Sequence, residues 1–159
     1  MFQLTNKIAV VTGGGSGIGK EICLTLAKQG AKVFVIDLNI ESAQATCDQI
    51  IASGFLSDAI GLNVSNQQEV KTAFTNIGTF HILVNCAGIA TPSKIIGKQG
   101  VMPLDFFQHI VNVNLFGSFN MMRLCSEKMM GLDLLEDDQR GVIISTASIA
   151  AYEGQIGQL

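Results

Sequence analysis

An α/β fold, a doubly wound parallel sheet of about five strands with helices on both faces, is what this 159-residue sequence predicts. Two observations carry the prediction. Apolar strand patterns alternate with helix-like stretches along the whole chain, the sequence form of strand–helix–strand units built on a parallel sheet. Two of the strands, Val33-Phe34-Val35-Ile36 and Val142-Ile143-Ile144, are near-continuous apolar runs, as strands covered on both faces should be.

The first strand is read at Lys7–Val11 and runs into the glycine turn Gly13-Gly14-Gly15-Ser16-Gly17-Ile18-Gly19. A helix over Ile18–Gln29 follows and stops at Gly30, a residue suited to the conformation that ends helices. The second strand, Lys32–Asp37, leads into a helix over Ile40–Ser53 that ends before Gly54. The third strand is Ala59–Asn63, after which Ser65-x-x-Gln68 has the form of a capping box and starts a helix to about Ile77. The fourth strand is Ile82–Asn85 and the fifth Gly141–Thr146. Between them a long helix, Leu104–Met130, follows Pro103 and is expected to bend near Asn112–Asn114. Its Phe116, Phe119, Met121, Met122, Leu124, Met129 and Met130 cover too wide an arc for one core-facing stripe. One side is assigned to the sheet; for the other, a partner helix across a dimer contact and simple deep burial stand level. Two irregular stretches, Ile89–Met102 and Gly131–Arg140, are of a length usually functional or mobile. With no repeat, low-complexity tract or linker, residues 1–159 read as one domain.

Composition narrows the function. The chain is 48% hydrophobic and 14% charged, so it is expected to bury much of what it carries. A net charge of -3 offers no basic footprint for nucleic acid. The triplet Glu136-Asp137-Asp138 reads as a solvated loop, with metal binding a remote alternative. Cys23, Cys47, Cys86 and Cys125 form no Cys-x-x-Cys pair, which argues against a zinc site or a disulfide framework and for a reducing compartment. His81 and His109 match no metal or triad spacing and are assigned structural or surface roles. With no signal-peptide pattern and no run of about 18 apolar residues, a soluble cytoplasmic protein off the membrane is expected, a mitochondrial matrix location being the alternative.

The glycine turn is the first chemical signal. A strand feeding a helix through such a turn directs backbone N–H groups and the positive end of the helix dipole at one spot, where a pyrophosphate can sit. The narrow Gly-x-Gly-x-x-Gly spacing fits in no register; the glycines fall as Thr12-Gly13-x-x-x-Gly17-x-Gly19. Asp37 closes the second strand 18 residues after Gly19, close to where a dinucleotide fold places an acid on the adenosine ribose. Its carboxylate can accept from both ribose hydroxyls and would repel a 2′-phosphate, while Ser16 and Leu38 offer no cation to pair one. NAD is therefore favoured over NADP, the plainer role for Asp37 being to help cap the next helix.

Asn63-Val64 ends the third strand and Asn85-Cys86-Ala87-Gly88 the fourth, all on the carboxyl edge where ligands bind in such sheets. With Thr12-Gly13-x-x-x-Gly17-Ile18-Gly19, these residues resemble the short-chain dehydrogenase/reductase family, whose fold is Rossmann-like. The resemblance implies a dinucleotide site made of Gly13, Ser16, Gly17, Ile18, Gly19, Asp37, Leu38, Asn63, Val64, Asn85, Cys86, Ala87 and Gly88. Asn63 stands where the family carries Asp; its amide oxygen can still accept from the adenine amino group, more weakly for being uncharged. The resemblance also gives Asn114, in Asn112-Val113-Asn114-Leu115, the task of ordering its helix and positioning a water of the proton relay. It gives Ser148 the task of hydrogen-bonding the reacting carbonyl or alcohol oxygen. Read without the family, Ser148 is a turn residue.

The stretches Ile89-Ala90-Thr91-Pro92-Ser93-Lys94, Gln139-Arg140-Gly141-Val142-Ile143-Ile144 and Thr146–Gln155 are similar to the type II 3-hydroxyacyl-CoA dehydrogenases within that family. That likeness implies a small secondary alcohol substrate, 3-hydroxyacyl-CoA or in some members a hydroxysteroid, and a homo-oligomer in the full-length form. The family's acid/base pair, Tyr-x-x-x-Lys, does not occur: Tyr152 is the only tyrosine and has Ile156 four residues on. The chain is accordingly expected to be truncated, lacking the family's C-terminal strands and helices, and to be inactive alone. A catalytically silent dinucleotide-binding or association module is the second reading, and another specificity (polyol, sugar or 3-oxoacyl reduction) the third.

Overall fold

The computed structural model describes residues 3–98, 100–135 and 138–154. Its centre is a five-stranded parallel sheet of β1 (Ile8–Thr12), β2 (Lys32–Asp37), β3 (Ser57–Gly61), β4 (Ile82–Asn85) and the strand Val142–Ser145. Two further strands, β5 (Ile96–Gly97) and β6 (Gly100–Val101), pair antiparallel as a small separate ribbon, so the strand at 142–145 is β7. The order is β3-β2-β1-β4-β7. The chain winds outward from β1 through β3, crosses back to β4 and winds the other way, which opens a crevice between the carboxyl ends of β1 and β4.

Side-chain alternation sorts the strands between two cores. Val10, Phe34, Ile36 and Leu83 face α3 (Gln67–Ile77) and α5 (Ser118–Met130), meeting Val70, Phe74, Met121 and Leu124. Ala9, Val11, Val33 and Val35 face α1 (Gly17–Lys28) and α2 (Ile40–Ala52), meeting Cys23, Ala27, Cys47 and Ile50. Burial pushes the Cys23 and Cys125 thiols up to about 12, so both act as small apolar groups rather than nucleophiles. Among the described residues no helix is long and apolar enough to cross a membrane.

The structure corrects the sequence reading in several places. β3 begins and ends two residues early: Ser57 is buried, its Oγ donating to the Val33 carbonyl at 2.8 Å, while Asn63 is drawn out of the ladder into a turn. The helix cap lies one residue later than expected: Asn66 Oδ1 accepts from the Gln68 and Glu69 N–H groups, and Glu69 accepts from the Asn66 side-chain amide rather than from its backbone N–H, so no capping box forms. The long helix is not simply bent but divided, α4 (Leu104–Val111) passing into α5 through a π-helical segment, Asn112–Gly117. Its wide apolar arc also divides: Met121, Leu124 and Met129 are buried, whereas Phe116, Phe119 and Met130 are exposed. The expectation that the fifth strand is covered on both faces fails. Ile143 packs on the α5 core, but Val142 and Ile144 are 42% and 49% exposed, because the core under α1 and α2 reaches only to Ile82 and Val84 of β4 and no described element covers the far face of β7.

His81, just before β4, is structural as expected, and it carries a pH dependence. Its Nδ1 accepts from the Ile8 N–H at 3.1 Å, while its own N–H donates to the Ile8 carbonyl and its carbonyl accepts from Val142. It thereby joins the starts of β1, β4 and β7. Partial burial, and then nearby Lys7, lower its pKa below 6.5. The unfolded chain thus takes up this proton first as pH falls through 6.5, and stability declines until the folded-state pKa is passed. His81→Gln keeps an acceptor for Ile8 without the titration. The slope of urea midpoint against pH between 6.5 and 5 is expected to be shallower in the variant; equal slopes would remove His81 from the account.

Candidate functional site

At the switch point the glycine turn is built by close contacts. Gly13 has φ +64°, and a Cβ there would lie 2.9 Å from the Ala87 nitrogen. A Cβ on Gly19 would lie 2.2 Å from the Gly13 carbonyl oxygen. Only glycine lets α1 pack this close to the turn, and the turn this close to the segment after β4. Thr12 Oγ1 accepts from the N–H groups of both Cys86 and Ala87 at 3.1 Å, tying that segment to the end of β1.

The turn leaves donors on a cavity wall. Ser16 caps α1 with no side-chain hydrogen bond, and the Lys20 N–H is taken by the Ser16 carbonyl. The first-turn N–H groups of Gly17, Ile18 and Gly19 have no intrahelical acceptor. They line a cavity of about 870 Å³, wide enough for a dinucleotide, together with Gly13, Ser16, Asp37, Leu38, Asn63, Val64, Cys86, Ala87 and Gly88. Asp37 is held in place: its Oδ2 accepts from Gly15 N–H and its Oδ1 from Asn39 N–H, each at 3.0 Å. It does not cap α2, a role taken by Asn39. No Lys or Arg lines this cavity among the described residues.

Two of the expected binding residues are placed differently. Asn85 is 3% exposed and off the cavity wall; its Nδ2 donates to Ser145 Oγ at 3.3 Å and its carbonyl accepts from Thr146, so it fastens β4 to β7. Asn63 does line the cavity, but its Oδ1 already accepts from the Ser65 N–H at 3.0 Å and the Ser65 hydroxyl at 2.8 Å. The acceptor assigned to the adenine amino group is therefore occupied.

A second cavity, of about 250 Å³, lies between the Ile89–Ser93 segment and α4 and contains both Asn114 and Ser148. Its remaining wall is mostly apolar, with Met102, Phe106, Phe107 and Ile110. Ser148 Oγ accepts from Ala150 N–H at 3.2 Å, which leaves its hydroxyl proton free to donate. The Asn114 side chain pairs with the Ile89 backbone twice, Oδ1 accepting from its N–H and Nδ2 donating to its carbonyl, both at 2.9 Å. Ile89 belongs to both cavities. Tyr152 stands 87% exposed and lines neither.

His109, given a structural or surface role from the sequence, is exposed and lines the larger cavity, with Val113 one turn on. The i, i+4 spacing of those two, offset from the Phe106–Ile110–Asn114 row that faces the smaller cavity, was the available signal of that placement. α4 and the π segment are thus a wall between the two spaces.

Residues 7–159 match the sequence profile of a family described as short chain dehydrogenase. The chain is 37% identical over 166 residues to 3-hydroxyacyl-CoA dehydrogenase type-2 of Drosophila melanogaster, covering 98% of this chain and 62% of that protein. To the protein of the same name from Rattus norvegicus it is 38% identical over 157 residues, covering 95% and 59%. Among solved structures it is similar to a 7α-hydroxysteroid dehydrogenase complexed with NADH and 7-oxo glycochenodeoxycholic acid. That match has a TM-score of 0.83 at 32% identity, covering 98% of this chain and 58% of that one. The chain therefore spans about 60% of the length of these relatives.

Proposed function

Since the chain belongs to the short-chain dehydrogenase family, we propose that it binds NAD and carries the dinucleotide half of a site that oxidises a secondary alcohol, 3-hydroxyacyl-CoA above others. The observation that carries the reading is the set of unpaired α1 N–H groups on the 870 Å³ cavity, with Asp37 anchored at its far side. That cavity fits the cofactor's parts. The first turn of α1 would hold the pyrophosphate, where N–H donors and helix dipole both favour an anion. Asp37 would accept from the adenosine ribose, and a ribose bearing no phosphate suits a wall that has no Lys or Arg among the described residues. NAD, when bound, supplies the hydride acceptor.

The smaller cavity is the reading's substrate side. The Ser148 hydroxyl would donate to the substrate oxygen and hold it beside the nicotinamide. Asn114 would act by position, pinning Ile89 so that the two cavities keep their common wall. The apolar Phe106, Phe107 and Ile110 suit an acyl chain or another apolar alcohol, in keeping with the names of the relatives. The exposed Phe116 and Phe119 suit a homo-oligomeric contact in the full-length form.

A positioned general acid or base is worth about 10² to 10⁴ in rate, and no Tyr-x-x-x-Lys pair stands in these 159 residues. We therefore expect binding without appreciable turnover, which is also what a silent dinucleotide module would do. Titration of the chain with NADH, followed by ligand fluorescence, is expected to give saturable binding with a Kd in or below the millimolar range. Absence of binding up to several millimolar would sink the reading. Reduction of NAD at an ordinary rate with a 3-hydroxyacyl-CoA would sink the silence.

A further inference from the structure

We propose that Asn120, on α5 behind the cavity, is a positioning residue that sets the Val64 N–H for recognition of the adenine base; the inference rests on reading the larger cavity as a dinucleotide site. An account of the peptide groups around residues 63 and 64 leads to it. Asn63 N–H donates to Glu69 Oε2 at 2.7 Å, and the Asn63 carbonyl accepts from Asn66 N–H at 2.9 Å. Asn63 Oδ1 is occupied by Ser65. The Val64 carbonyl accepts from Asn120 Nδ2 at 2.8 Å. Among the described residues, no hydrogen bond takes the Val64 N–H, although Val64 lines the cavity. A main-chain donor left without a partner on a cavity wall is a group for a ligand to satisfy.

The geometry holds that donor from behind. Asn120 is 6% exposed, so its amide is paired by protein rather than by water. Arg123 Nη2 donates to Asn120 Oδ1 at 2.9 Å, which keeps the amide from flipping and leaves Nδ2 to face the Val64 carbonyl. On the other side, Gly117 at the end of the π segment admits the Val64 side chain. A Cβ there would lie 2.6 Å from Val64 Cγ2. Val64, the residue that carries the free N–H, is thus held at its own carbonyl by Asn120 and by its side chain in the space that a Cβ on Gly117 would fill, while the carbonyl of the preceding peptide is held by Asn66 N–H. An N–H donor on the wall selects a base edge that accepts. The N1 of adenine is such an acceptor, whereas the N1 of hypoxanthine carries a hydrogen and opposes it.

The test is base discrimination by the full chain, read as the ratio of Kd for reduced nicotinamide hypoxanthine dinucleotide to Kd for NADH. Wild type is expected to prefer adenine by about tenfold, the scale of one hydrogen bond exchanged for an opposed donor pair. Asn120→Asp is isosteric and keeps an acceptor for Arg123, but presents an oxygen where Nδ2 donated. Its ratio is expected to fall to about one to two, with an unchanged far-ultraviolet circular dichroism spectrum. Arg123→Met frees the amide to rotate without removing it and is expected to lower the ratio partway; it decides the matter if Asn120→Asp does not fold. An unchanged ratio in these variants, or equal weakening toward both dinucleotides, would overturn the role of Asn120. A wild type that binds NADH without distinguishing the bases would overturn it too while leaving the NAD site standing. A wild type that binds neither would overturn the NAD site and this role together.

Discussion

Gly19→Ala is expected to destabilise the chain by about 3 kcal/mol, the upper part of the range for overpacking a close contact, and to raise the Kd for NADH by about a hundredfold or more. The new Cβ would stand 2.2 Å from the Gly13 carbonyl oxygen and 2.8 Å from its carbon, both backbone atoms that no rotamer change can move aside. Gly13 cannot retreat. It is wedged against the segment after β4, at 2.9 Å from the Cys86 carbonyl carbon for any added Cβ, and Thr12 Oγ1 holds that segment by two N–H groups. The strain is relieved only by moving α1 outward, which withdraws the Gly17 to Gly19 donors from the cavity. Gly17→Ala is the natural control. Its Cβ would meet nothing within 4 Å, so it carries only the cost of a left-handed φ of +51°, about 1 kcal/mol. Urea unfolding and NADH titration of both variants check the contrast. Equal effects would mean that backbone conformation, and not the contact of α1 with the turn, governs the site.

How much of this was legible in the sequence follows from which forces act locally. β2 and β4 fall where their apolar runs put them, because burial on both faces writes itself into consecutive residues. β3 slipped because Asn63 prefers an Asx turn closed by Ser65, and the apolar Leu62 and Val64 beside it imitate a strand end. The β5–β6 ribbon has two residues on each side, too few for any alternation to register. The apolar run of β7 reports what the strand is suited to, not what covers it. In the site, the glycine turn and Asp37 were readable because a helix N-terminus and an acid at a strand end need only nearby sequence. The duties of Asn120 and Asn85 were not, since each acts on a partner brought close by the fold; Asn120 and Val64 are 56 positions apart.

The dinucleotide preference tests the charge argument. The paired change Asp37→Ser, Leu38→Arg is expected to turn a preference for NADH of about a hundredfold into a preference for NADPH, read as the ratio of the two Kd values. The repulsion being removed is large. At 4 Å and an effective dielectric near 20, one pair of like charges amounts to about 4 kcal/mol before screening by salt, and a hundredfold preference needs only about 2.7 kcal/mol. Leu38 is 75% exposed on the cavity wall, so an arginine has room to reach a 2′-phosphate without displacing the core. Asp37 does more than repel: it accepts the Gly15 N–H at 3.0 Å, and a Cβ on Gly15 would be 2.9 Å from that same oxygen, so carboxylate and turn fit together tightly. Serine is too short to keep that bond, and the double variant is expected to bind NADH at least tenfold more weakly. Asp37→Asn separates the two contributions. Its amide oxygen can still accept from Gly15 while the charge is gone, at the cost of the bond from Asn39 N–H, which then faces the Nδ2 donor, so NADPH should gain while the turn keeps its Gly15 contact. If Asp37→Asn leaves the NADPH affinity where it was, then the shape of the Gly15–Asp37 contact, and not the carboxylate's charge, excludes the phosphate.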